Sequence, residues 1–259
     1  MKLTIIASGS KENCYCLHNQ NEALIIELGV NFQRIINNVE GLTRKKIVGA
    51  IISHKHGDHA KYVREFTHER FLNCFAPEEV FSNENNFTHS IENKKAFKLG
   101  NFQICPFEVE HDEDCRCFCY LIKHEEIGTL LFATDLWQMP YRFGGLNHIM
   151  IEANHSNNLI FENIENEKLD RRLARRIQKS HLNFEMTKEI LRQSDLSKVD
   201  NIILIHLSKS NADPERYQKE IKEEFNKNCY IAEQKLSINL NNGNKKYKNQ
   251  SYSNGSKSI

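Results

Sequence analysis

No stretch of this sequence is long and apolar enough to span a bilayer, and the first apolar run, within Met1-Lys2-Leu3-Thr4-Ile5-Ile6-Ala7, is too short for a secretory signal. Neither sign of charge dominates. With 35 Lys+Arg against 34 Asp+Glu in 259 residues, net charge cannot recruit a polyanion, and any anion site must be local. The eight cysteines include no CxxC pair, and the chain is larger than the scaffolds that need disulfide staples. Internal repeats of solenoid period are also missing. Together these absences lead to an expectation of a cytoplasmic protein with free thiols, no membrane partner and one large domain.

Cys115, Cys117 and Cys119 alternate along the chain. Period-two spacing puts them on one face of a strand, where small hydrophobes belong, so they are expected as core. Thr4-Ile5-Ile6 and Ala23-Leu24-Ile25-Ile26 read as neighbouring strands joined by a turn. Phe32, Ile35, Ile36 and Val39 recur at helical spacing, Gly41 follows as a stop, and residues 47–52 form a continuous apolar strand. Further strands are expected at 71–75, 96–99, 102–109, 118–122, 129–132, 149–151 and 202–205, with helices at 184–191 and 214–225. Asp213-Pro214 starts the last helix with an N-cap carboxylate and proline at N1, and Tyr217, Ile221 and Phe225 line its core face. Residues 1–240 make the domain. From 241 to 259 the chain is almost devoid of apolar residues and is expected to be a flexible tail.

Chemistry concentrates directly after the strand at 47–52, in His54-Lys55-His56-Gly57-Asp58-His59. Three imidazoles and a carboxylate so close together, at a strand end where Gly57 permits a tight turn, can converge on a pair of cations. Few structural needs produce that pattern.

This run resembles the HxHxDH motif of the metallo-β-lactamase superfamily, and the likeness extends over roughly residues 4 to 210. It implies an α/β fold, the four-layer αββα sandwich. It also implies later ligands at strand ends: His111, Asp135 and His206. By that likeness His54, His56 and His111 hold one divalent metal, Asp58, His59 and His206 hold the other, and Asp135 bridges them. Zinc is the expected ion, although imidazole and carboxylate ligands also suit manganese and iron.

Glu152-Ala153-Asn154, Ser180-His181-Leu182-Asn183 and His206-Leu207-Ser208 are similar to motifs of the phosphodiesterase branch that includes ribonuclease Z. With Ala7-Ser8-Gly9-Ser10-Lys11, they resemble more closely the bacterial single-stranded-DNA exonuclease type. The resemblance implies a metal-bridged hydroxide attacking a phosphodiester, with Asp58 accepting the nucleophile's proton. His181 would protonate the departing oxygen, and Glu152 would orient that imidazole and keep it charged. Arg171 with Arg175, and Arg172 with Arg176, fall at i,i+4 spacing and concentrate positive charge on one helix face. That face is either merely solvated or a phosphate holder, with Ser208 as a further substrate contact.

Two departures from the family pattern stand out. Glu27 occupies a position where the family usually has aspartate, which implies a different arrangement around the ligands. A long Gly/Pro-rich basic insertion of the ribonuclease Z kind is missing, which argues against tRNA maturation. The expected substrate is a phosphodiester of single-stranded nucleic acid. The rival is a small cyclic nucleotide or cyclic phosphate, as for phage anti-immunity enzymes of this branch. Thioester hydrolysis, iron redox chemistry and a noncatalytic binding role are weaker readings: His56 stands where diiron oxygen-reducing relatives have glutamate, and degenerate relatives lose ligands that are all present here.

Overall fold

Two seven-stranded sheets organise the protein, and each half of the chain supplies most of one of them. The computed structural model describes residues 1–242. In the first half run β1 (Lys2–Ala7), β2 (Cys14–His18), β3 (Ala23–Ile26), α1 (Phe32–Asn38), β4 (Ile47–Ile51), α2 (Gly57–Ala60), β5 (Cys74–Ala76) and β6 (Thr88–Ser90). The second half contributes β7 (Phe97–Leu99), β8 (Phe102–Asp112), β9 (Cys115–His124), β10 (Gly128–Ala133) and β11 (His148–Glu152). Three helices follow, α3 (Asn157–Glu165), α4 (Arg171–Ser180) and α5 (Phe184–Arg192), then β12 (Asn201–Ile205), α6 (Pro214–Phe225), β13 (Asn228–Ile231) and β14 (Ser237–Asn239). The sheet orders are β14-β1-β2-β3-β4-β5-β6 and β13-β12-β11-β10-β9-β8-β7, so β14 crosses back to close the edge of the first sheet.

Strand alternation builds three apolar layers. Leu3 and Ile5 of β1, Phe118, Tyr120 and Ile122 of β9, and Leu130 and Phe132 of β10 meet in the core between the sheets. The residues between them on β9 and β10, Cys117, Cys119, Leu131 and Ala133, face the opposite way and pack with Phe184, Tyr217 and Ile221 from α5 and α6. Ile6 and Ile25 cover the outer side of the first sheet with Phe32 and Ile35 of α1. This gives the expected αββα layering, and it explains the unbroken apolar runs: a strand such as β12 is buried on both faces. The three alternating cysteines are core residues, as their spacing implies, and all eight thiols are free.

Several local expectations need correction. β1 and β3 are not neighbours, because β2 lies between them and pairs with both. Its sequence, Cys-Tyr-Cys-Leu-His, is wholly buried and so lacks the polar alternation that marks a half-exposed strand. The expected strand at 71–75 is only Cys74–Ala76; Phe71 is 56% exposed and takes a left-handed backbone at φ 54°. The short β6, β13 and β14 and helix α3 carry weak periodicity, and the sequence reading missed them. Of the expected tail, residues 243–259 lie outside the described residues. Among those described, no helix is long and apolar enough to cross a membrane.

The first sheet is parallel from β3 to β6 and the second from β10 to β13. Beside the end of β3, three backbone segments lock together: the Asn13 N–H donates to the Asp58 carbonyl at 2.8 Å, the Gly29 N–H to the Asn13 carbonyl at 3.0 Å, and the Leu28 N–H to the His59 carbonyl at 2.7 Å. Gly29 is required at this junction. A Cβ there would lie 2.0 Å from the Asp58 carbonyl oxygen and 2.6 Å from the Asn13 nitrogen, both backbone atoms. Gly29→Ala should therefore cost about 3 kcal/mol or more, beyond ordinary overpacking, because no side chain can turn aside. Urea unfolding of wild type and variant checks this; an unchanged midpoint would show that the junction is loose.

Candidate metal centre

The parallel strands deliver their side chains at their carboxyl ends, where ligand sites form in open α/β sheets. Glu27 follows β3, His54 to His59 follow β4, Asp135 follows β10, Glu152 ends β11 and His206 follows β12. Three of these, Glu27, Asp135 and His206, have left-handed backbone, with φ of 65°, 51° and 55°. Such conformations in residues with side chains are strained and concentrate at functional sites.

The seven residues expected as ligands converge in overlapping groups whose donor atoms lie within 4.8 Å of one another: His54, His56 and His111; Asp58, His59 and His206; and His54, His59 and Asp135. In the first group His54 Nε2 and His111 Nε2 lie 3.0 and 3.2 Å from His56 Nδ1. His111 Nδ1 donates to the Ser180 carbonyl at 2.8 Å, which turns its Nε2 toward His56. Burial pushes His54 well below the usual histidine range and His56 below it, and neighbouring imidazoles add to both shifts. Ring nitrogens that converge in this way are what a cation needs and what three imidazoles alone cannot satisfy.

The second group is built on opposite charges. Asp58 Oδ2 lies 3.1 Å from His59 Nε2 and 3.4 Å from His206 Nε2, while Asp135 Oδ2 lies 3.1 and 3.6 Å from the same two atoms. Burial opposes the charged form of each partner, but mutual attraction wins: both carboxyls are held below their usual range and both imidazoles are raised, His206 to about 10. Without metal these protons neutralise the carboxylates; cation binding would displace them. The donor set is compatible with divalent metal.

Supporting contacts follow the pattern of metal-binding histidines, whose second ring nitrogen is held by a carboxylate or carbonyl. Glu152 Oε1 faces Nδ1 of His206 at 3.1 Å and Nδ1 of His181 at 2.7 Å, and its Oε2 accepts from the Leu136 and Leu182 N–H groups at 3.3 and 3.0 Å. Although burial alone would raise Glu152, His181 and His206 hold it below the usual range. His181 caps the end of α4, and its ring stacks at 17° on His206, with 5.3 Å between centroids. Burial would lower His181, yet Glu152 and then Asp135 raise it.

Glu27 is fully buried, accepts from the Ser53 N–H, and lies 3.5 Å from His59 Nδ1, so the glutamate does touch the ligand set through His59. The sequence reading gave no role to Asn13 or to Asn154, the last residue of the Glu152-Ala153-Asn154 run. Asn13 Nδ2 lies 3.3 Å from Asp58 Oδ2 and 3.1 Å from His59 Nε2, and Asn154 Nδ2 donates to the His206 carbonyl at 3.0 Å. Their only sequence signal is adjacency to the Ser8-Gly9 turn and to Glu152.

A groove of about 1360 Å³ opens on His111. Of the four arginines in the helical run, Arg175 and Arg176 line it; Arg171 and Arg172 are exposed on α4 and do not. Ser208 does not line it either, and its hydroxyl accepts from the Asn211 N–H and side-chain amide, both at 3.3 Å.

Known structures of similar architecture carry the same scaffold. The chain superposes on the metallo-β-lactamase fold protein YhfI from Bacillus subtilis with a TM-score of 0.68 over 92% of this chain and 99% of that one, at 15% identity. The chain has the metallo-β-lactamase fold. Human tRNase Z, short form, shares that fold at a TM-score of 0.61 and 14% identity, over 93% of this chain and 99% of its own. In sequence, the exodeoxyribonuclease WalJ of Streptococcus pneumoniae is 25% identical over 226 residues, 81% of this chain and 82% of that protein. No family model matches the chain.

Proposed function

We propose that this metallo-β-lactamase-fold protein is a dinuclear metal-dependent phosphodiesterase that cleaves single-stranded nucleic acid in exonuclease fashion. The observation that carries the reading is an imidazole beside the ligand set: His181, held by Glu152 at 2.7 Å, stands next to Asp135 at 3.4 Å. His54, His56 and His111 would hold one cation and Asp58, His59 and His206 the second, with Asp135 shared. Bound there, such a pair of ions neutralises nonbridging phosphate oxygens and lowers the pKa of water.

The chain's own residues supply the rest. Asp58, whose Oδ2 is fixed by Asn13, His59 and His206, is placed to accept the proton of the attacking water. His181 Nδ1 is occupied by Glu152, which leaves Nε2–H as the donor to the departing oxygen. A protonated imidazole held by two carboxylates is suited to an alkoxide leaving group and unnecessary for a thiolate. The likeness to an exodeoxyribonuclease and to a tRNase Z supports a nucleic-acid diester over a thioester. Wild-type protein should hydrolyse bis(p-nitrophenyl) phosphate but not an acyl thioester, and chelation should abolish the activity until zinc or manganese is restored. Thioester turnover without diester turnover would overturn the proposal.

A further inference from the structure

The groove beside the metal centre has one feature that metal chemistry does not require. Trp137, two residues beyond Asp135, is 43% exposed, although its neighbours Leu136 and Met139 are buried in the outer core of the second sheet. Those anchors and the Trp137 N–H donated to the Glu110 carbonyl at 2.8 Å fix the loop and leave the indole displayed on the groove wall. Further along the same wall Tyr141 is pinned by its hydroxyl, which donates to the Glu108 carbonyl at 2.8 Å, and Lys94 Nζ lies 5.3 Å from its ring centroid. An exposed indole and a fixed phenol in a cleft are surfaces for flat rings.

Charge divides the groove. Arg175 and Lys179 come from α4, which is tied to the metal centre because Ser180, its last residue, accepts from His111. The β8–β9 turn beside α4 carries Asp112, Glu113 and Asp114, and Glu79 and Glu110 also line the groove; Asp112 takes up Arg176 at 3.5 Å, and Arg116 pairs with Glu108 at 2.8 Å. Phosphates are therefore favoured only along Arg175 and Lys179 and repelled from the rest of the lining. At about 1360 Å³ the cleft also exceeds the roughly 300–1,000 Å³ that encloses a molecule of mononucleotide size.

We propose that this groove holds about three nucleotides of a single strand leading to the metal centre, with bases stacked on Trp137 and Tyr141 and phosphates along Arg175 and Lys179. This deepens, and rests on, the phosphodiesterase reading. Stacking dominates over charge here: two cationic contacts give a slope of log affinity against log salt of only about −1.4.

Trp137 is the only tryptophan in the chain, so intrinsic fluorescence reports on this wall alone. A phosphorothioate thymidine tetranucleotide, which resists cleavage, should quench the metal-loaded protein and bind about tenfold or more tighter than thymidine monophosphate. By anisotropy of a labelled strand, Trp137→Ala should lose about tenfold in affinity, and Trp137→Phe should recover most of it. No quench at saturating strand, or equal affinity for tetramer and monomer, overturns the groove assignment. Quenching by a strand in a protein that hydrolyses no diester with any divalent metal supports the groove and overturns the phosphodiesterase reading instead.

Discussion

Asp135→Ala should lower the metal content from about two ions per chain to one or fewer and reduce diester turnover by about 10³-fold or more, since a metal pair contributes several kcal/mol to such a reaction. The expectation follows from the position of this carboxylate. Its Oδ2 lies 3.1 Å from His59 and 3.6 Å from His206, and it also groups with His54 and His59. Through His54 it reaches the first half of the site, and through His59 and His206 the second. Asp135 is buried, but its loss leaves the sheet core untouched, and the backbone around it keeps the Cys117 thiol against its carbonyl at 3.3 Å. Elemental analysis of variant and wild type, with circular dichroism to confirm folding, decides the matter. Two tightly held ions and full turnover in the variant would remove Asp135 from its shared role.

His181→Ala should separate two kinds of leaving group. A sugar alkoxide needs a proton as the P–O bond breaks, so loss of the imidazole should cost roughly 10²- to 10⁴-fold on a natural diester, the usual range for general acid catalysis. A p-nitrophenolate departs with little such help, and bis(p-nitrophenyl) phosphate should be hydrolysed at a rate much nearer to wild type. Glu152→Gln should show the same asymmetry together with weaker metal binding, because its Oε1 also faces His206 at 3.1 Å. The measurement is kcat/KM on both substrates at fixed metal concentration. Equal losses on the two would assign His181 to structure or binding.

The sandwich and the seven ligand candidates were legible through the family resemblance that the His54–His59 run carries, with local pattern in support: an apolar run followed by a histidine or carboxylate at the strand end. His54, Asp135 and His206 are examples. What escaped depends on distance. Asn13 meets Asp58 across 45 residues, and Glu27 meets His59 across 32, contacts that only sheet pairing creates. β2 was hidden because a strand buried on both faces but containing tyrosine and histidine matches no simple period. The division of the arginine run had the same origin: i,i+4 spacing identifies a helix face, but only packing of α4 against β8 determines that Arg175 and Arg176 border the groove while Arg171 and Arg172 do not.

The left-handed backbones of Glu27, Asp135 and His206 bear on how this protein would change if its chemistry were no longer needed. Each conformation costs on the order of 1–3 kcal/mol and is retained for what its side chain does. Glycine at any of the three would relax the backbone but would leave that side chain's buried partners unpaired. A duplicated copy released from catalytic selection would therefore gain stability only once the paired side chains had been replaced together, and so concerted a change would be hard to reverse. Screens that reward heat resistance alone would take that path too, enriching inert, well-folded variants at these positions. Pairing any such screen with a metal-retention assay would keep the centre intact.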